Sequence, residues 1–111
     1  MSFANKRNRK GKLFSIDTNG FSFVRLEELQ QNHVYPVCGV HNFKTKYGDS
    51  PVIISVDCFV NLPKRMADDI YDIMNDETDV RDINDGRVGF KVRKYIGRDG
   101  LEHLTIDWVD R

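Results

Sequence analysis

Apolar and β-branched residues alternate with polar ones along most of this chain, and the alternation predicts strands. Residues 34–43 (VYPVCGVHNF) read as a first long strand and residues 52–60 as a second, joined by KTKYGDS. That connector holds the turn residues Gly48, Asp49 and Ser50 beside Lys44, Lys46 and Tyr47. On the first strand Tyr35, Val37, Gly39, His41 and Phe43 share one side, and Val34, Pro36, Cys38, Val40 and Asn42 the other. Gly39 suits a bend, and Pro36, which has no N–H to give, suits an edge or bulge. On the second strand Val52, Ile54 and Val56 are a better core set than Ile53, Ser55 and Asp57. Residues 88–96 and 101–109 predict two further strands around the turn Gly97-Arg98-Asp99-Gly100. Val88, Phe90 and Val92 face one way, and Lys91, Arg93 and Tyr95 the other. On the last strand Leu104, Ile106 and Trp108 form the apolar row.

The period changes from 2 to 3.6 in the middle of the chain. Ala67, Ile70, Tyr71 and Met74 recur at helical spacing, so residues 64–75 read as a helix, with Asp68, Asp69 and Asp72 on its wet face. Residues 79–84 read as a shorter helical segment, stopped by Gly86. Leu26 and Leu29 suggest one or two helical turns over residues 25–33. In residues 13–24, Asn19-Gly20 between Phe14/Ile16 and Phe21/Phe23 predicts a hairpin with a type I′ turn. Residues 1–12 read as a flexible basic tail, leaving residues 13–111 as one domain.

The expected fold is mainly β. A helix between the third and fourth strands fits a five-stranded Greek-key barrel of the OB type, with an added N-terminal hairpin, if residues 52–60 supply two strands. An open α+β sheet with a helix on one face is the alternative.

A composition of 40% hydrophobic and 31% charged residues supports a packed core rather than disorder. The 17 basic and 17 acidic side chains cancel, which argues against a uniformly basic nucleic-acid binder. The charges are segregated, however. Residues 1–12 carry Lys6, Arg7, Arg9, Lys10 and Lys12 and no acid. Residues 64–86 carry eight acids against three bases, and residues 87–98 carry five bases and no acid. Such blocks can give a neutral chain one positive face. No signal peptide or membrane span is expected, which points to the cytoplasm. Cys38 and Cys58 sit in strand patterns and are expected as free buried thiols, a disulfide between neighbouring strands being the alternative. No metal-ligand spacing and no glycine-rich phosphate loop occur, so neither metal nor cofactor is expected. His33, His41 and His103 lack a nucleophile context, and the acids at 68–85 fall at helical spacing. A non-enzymatic protein is the expectation, and the acidic face could instead dock a basic protein.

Cations interleaved with aromatics occur twice: Phe43, Lys44, Lys46 and Tyr47 around the first connector, and Lys91, Arg93, Lys94 and Tyr95 on the strand after the helix. This pairing suits single-stranded nucleic acid, because cations attract phosphates and rings stack on unpaired bases at about 1–3 kcal/mol each. Stacking reads no base edge, so such binding tolerates many sequences.

Between roughly Leu26 and Asp110 the order of short motifs resembles a family of small phage-encoded single-stranded DNA-binding proteins of Gram-positive hosts. The matching residues are Leu26 and Leu29 before Tyr35, the loop Lys46-Tyr47-Gly48, Leu62-Pro63 closing a strand, and the amphipathic helix. Gly86, Gly89 and Phe90, then Trp108 and Asp110, complete the series. The resemblance implies an OB fold, single-stranded DNA as partner, cytoplasmic action in phage DNA replication or recombination, and often a homodimer. The chain departs from the family in its basic residues 1–12 and its Asn19-Gly20 hairpin. It also lacks an acidic C-terminal tail, so recruitment of host proteins through one is not expected.

Overall fold

The computed structural model describes residues 14–111, so the reading of residues 1–12 as a tail lies outside the described residues. The chain is mainly β, with two sheets and two α-helices. One sheet has the order β1 (Ser22–Val24), β5 (Cys58–Asn61), β4 (Gly48–Ile54), β3 (Gly39–Thr45). The other has the order β2 (Tyr35–Pro36), β6 (Val88–Ile96), β7 (Glu102–Asp110). The helices α1 (Ala67–Met74) and α2 (Glu77–Asn84) separate β5 from β6. The helical segments expected over residues 64–75 and 79–84 are both present, the first opening as a 3-10 turn at Lys64–Met66, so the connection holds two α-helices rather than the single helix of the expected barrel. The acidic Asp76 starts the second by accepting from the N–H groups of Thr78 and Asp79.

One extended stretch joins the sheets. Tyr35 and Pro36 pair with Phe90 and Gly89, and the Val37 N–H still donates to Val88 O at 3.0 Å. The next N–H, of Cys38, donates to Ile54 O at 2.7 Å in the other sheet. The switch between Val37 and Cys38 explains why Val37 and Val40 both enter the core, although strict alternation puts them on opposite sides. Gly39 follows because space is short there: a Cβ would meet the Phe14 ring at 3.0 Å and Ile54 Cδ1 at 3.1 Å.

The second predicted strand is two strands, β4 and β5, broken at Val56 and Asp57. Val56 is exposed, and Ile53 rather than Val56 joins the core. The row Val52/Ile54 is buried too, so both faces of β4 are covered. The core proper contains Leu26, Val37, Val40, Ile53, Val60, Ile70, Phe90, Val92 and Ile106. The α1 row Ala67/Ile70 packs on β3 and β4, where Asn42 Nδ2 donates to Ala67 O at 3.3 Å.

No closed barrel forms among the described residues. β5 pairs on its outer side with β1, in parallel, and not with β7. A 3-10 turn, Leu26–Glu28, packs against β7 instead, with Leu26 buried.

The N-terminal hairpin does not form either. The Phe21 N–H donates to Thr18 O at 3.1 Å, and of the two central residues only Gly20 has positive φ, at 81°. A type I′ turn needs both. Ser15 N–H is drawn away to Asn84 Oδ1 at 3.0 Å, which leaves Ser22–Val24 to pair with β5.

The predicted loop KTKYGDS is mostly ladder: Thr45 opposes Gly48, leaving Lys46 and Tyr47 as the turn. Gly48 has φ 106°, in the positive range that favours glycine. Replacing Gly48 by Ala is expected to lower stability by about 1–2 kcal/mol, the cost of a Cβ at positive φ, read as a reduced denaturant midpoint.

Candidate nucleic-acid interface

The alternation in FSFV and CFVN puts Phe23 and Phe59 on the sheet face opposite Val24 and Val60. The register Phe23↔Phe59 then sets the two side by side. Their rings stack, with centroids 4.9 Å apart and an interplanar angle of 26°. Phe43, on β3, meets Phe59 edge-on at 5.7 Å and Phe23 at 5.7 Å. Three inter-strand steps of about 4.8 Å separate β1 from β3, so these rings lean across the smaller Ser50 and Val52 of β4. That accounts for Val52 being fully buried while lying on the face away from Ile53. Phe21 extends the layer at 5.8 Å from Phe59, and His41 at 4.5 Å from Phe43. Phe23 remains 55% exposed, so an apolar ring face stays in water. The layer offers flat apolar surface to any planar partner.

At one end of this sheet stands the hairpin tip. Tyr47 is 78% exposed, with Lys46 Nζ 5.1 Å from its ring centroid. The tip is tied down: Thr45 Oγ1 donates to Gly48 O at 2.8 Å, and Lys64 Nζ donates to Tyr47 O at 2.8 Å. Lys64 opens the 3-10 turn Lys64–Met66, and the neighbouring Arg65 guanidinium lies 5.8 Å from the centroid of Tyr95. The two sequence-predicted stretches are thus bridged by consecutive cations, Lys64 touching the first and Arg65 the second. Tyr95 also lies 5.5 Å from His103, whose Nε2 is 3.1 Å from both carboxylate oxygens of Asp99. The Leu101 N–H and then His103 hold the Asp99 carboxyl below its ordinary range.

Other predicted residues are differently placed. Lys44 lies on the helix side of β3, 2.8 Å from Asp49 Oδ1 and 4.9 Å from the Tyr71 ring centroid. The bond to Asp49 pushes the Lys44 ammonium pKa up and, reciprocally, holds the Asp49 carboxyl down. On β6, Arg93 pairs with Asp107 at 2.8 Å and Lys94 with Glu102 at 3.3 Å. The β7 acids neutralise what reads in the sequence as an unopposed basic row. Lys91 is half-buried on the same strand, and none of the ion pairs among the described residues includes it.

Sequence reasoning missed Phe21, Phe23, Phe59, Lys64 and Arg65. The two phenylalanine rows were visible as alternation, but their adjacency depends on a parallel pairing between segments far apart in the chain. Cys38 and Cys58 are free and half-buried, and burial raises both thiol pKa values. No group of metal-ligating side chains and no membrane-crossing helix occurs among the described residues. Comparison with protein-family models, curated proteins and solved structures finds no match for this chain.

Proposed function

We propose that this chain is a non-enzymatic, sequence-tolerant binder of single-stranded DNA that covers exposed strands during phage DNA replication or recombination. The observation that carries the reading is the open ring layer of Phe23, Phe59 and Phe43 beside the exposed Tyr47. Unpaired bases stack on the rings, while Lys46, Lys64 and Arg65 at the tip attract the backbone. Paired bases already stack on one another, so a duplex gains little from such a surface.

The element order supports an OB-type plan for this binder. A bent strand shared by two sheets leads the meander β3–β4–β5, helices follow, and the hairpin β6–β7 ends the chain. The ring layer lies on the outer face of that meander, where proteins of this plan hold oligonucleotides. The phage setting rests on the order of motifs from Leu26 to Asp110.

The test is an anisotropy titration with labelled dT of about 16 nucleotides, the upper site size of one such domain. Binding is expected at low salt. Three phosphate contacts give a log–log salt slope of about −2, at 0.7 per phosphate for single strands. A duplex of equal length should bind more weakly. No binding at low salt, or equal affinity for the duplex, ends this reading. A rU competitor of equal length that wins over dT would assign the surface to RNA.

A further inference from the structure

The side of the molecule formed by the helices and the ends of β6 and β7 holds a groove of about 490 Å³ that the proposed function does not use. Asp69, Asp72, Asp79, Asp82 and Asp110 surround it, and Trp108 forms part of its wall. Ile83 and Val88 make its floor apolar. None of these five carboxylates takes part in an ion pair among the described residues. Burial first, then the neighbouring Asp76 and Asp82, raise the Asp79 carboxyl pKa.

The chain carries a complementary segment. Lys6, Arg7, Arg9, Lys10 and Lys12 are five cations with no acid among residues 1–12, matching the five carboxylates in number. Its point of entry is fixed at the same helix pair. Ser15 N–H and Oγ both donate to Asn84 Oδ1, at 3.0 and 3.3 Å, and Asn84 ends α2, which supplies Asp79 and Asp82. Lys12 is three residues from that anchor, a reach of at most about 11 Å. A tether so short gives the segment a high effective concentration at the groove.

We propose that residues 6–12 dock in this groove. Their ammonium and guanidinium groups meet the aspartates, and one cation lies against the Trp108 ring, a favourable pairing for an indole face. The docked segment is then withheld from phosphates, and the groove and any polyanion compete for the same cations. This inference does not depend on what the aromatic face binds.

Trp108 is the single tryptophan of the chain and reports occupancy directly. The full-length protein is compared with a full-length variant carrying Lys6→Gln, Arg7→Gln, Arg9→Gln, Lys10→Gln and Lys12→Gln, using quenching of Trp108 emission by acrylamide, a neutral probe. At about 0.01 M salt, where charges interact over about 30 Å, the native chain should be protected and the variant should lose that protection. At about 1 M salt, where the range is about 3 Å, the two should coincide. Asp79→Asn with Asp82→Asn in the otherwise native chain should reproduce part of the loss, with unchanged circular dichroism. Equal quenching of native chain and variant at low salt overturns the proposal. Protection that grows with protein concentration also overturns it, because the segment would then sit in a second copy.

Discussion

Phe23→Ala is expected to weaken the proposed binding to an unstructured dT strand by about 1–3 kcal/mol, roughly 5- to 150-fold, the cost of removing one stacking ring. Phe23 is the ring with the largest effect because it combines exposure of 55% with support from beneath, stacked on Phe59 at 4.9 Å. A base placed on it extends an existing stack rather than ordering a loose side chain. The same exposure keeps the folding cost small: the variant loses about 1 kcal/mol of stability, the scale of its aromatic pairs. Anisotropy titration and thermal melting of the same preparation read both numbers. Phe23→Leu separates the causes, since it keeps apolar area and loses the flat face. If Leu restores full affinity, stacking is not the interaction.

Phe90→Ala costs about 3–5 kcal/mol of stability, the usual range for a buried phenylalanine. This is a large share of the roughly 5–15 kcal/mol that holds a domain of this kind. Phe90, the third residue of β6, is fully buried opposite Tyr35 in the register, and the two rings stack at 5.5 Å. Tyr35 lies just before the point where the chain leaves one sheet for the other, so the lost ring loosens the junction of the two sheets. Denaturant titration should show a reduced midpoint with an unchanged slope. A loss below about 1 kcal/mol would mean that the sheets are held together elsewhere.

The elements were legible wherever one period ran undisturbed. β6 follows its alternation from Val88 to Val92, and α1 follows the row Ala67, Ile70, Tyr71, Met74, whereas on β7 only Ile106 of the predicted row is buried and Trp108 is exposed. What alternation cannot carry is a change of partner within one strand. Residues 34–43 read as continuous, yet Val37 and Cys38 donate to different sheets. The better apolar set on residues 52–60 was misjudged for a related reason. β4 is covered on both faces, by the core and by the ring layer, so its burial has no period of 2.

The candidate site was half legible. Tyr47 and Lys46 stand at the exposed tip as their turn context suggested. The basic row of β6 misled because its neutralising acids lie on the next strand. The Gly97-Arg98-Asp99-Gly100 turn could have revealed them, since it sets a register that brings Glu102 and Asp107 across from that row. The ring layer needed the pairing of Ser22–Val24 with Cys58–Asn61, a parallel contact that no local signal encodes.

The most direct test is photocrosslinking of the full-length protein to a single strand in which every thymine is replaced by 5-iodouracil, a base that couples to aromatic rings stacked on it. Mass spectrometry of the digested adduct should place the crosslinks on Phe23, Phe43, Phe59 or Tyr47, and Phe23→Ala should reduce their yield. Adducts confined to Trp108 or to the outer face of β7, with none on the ring layer, would contradict the account.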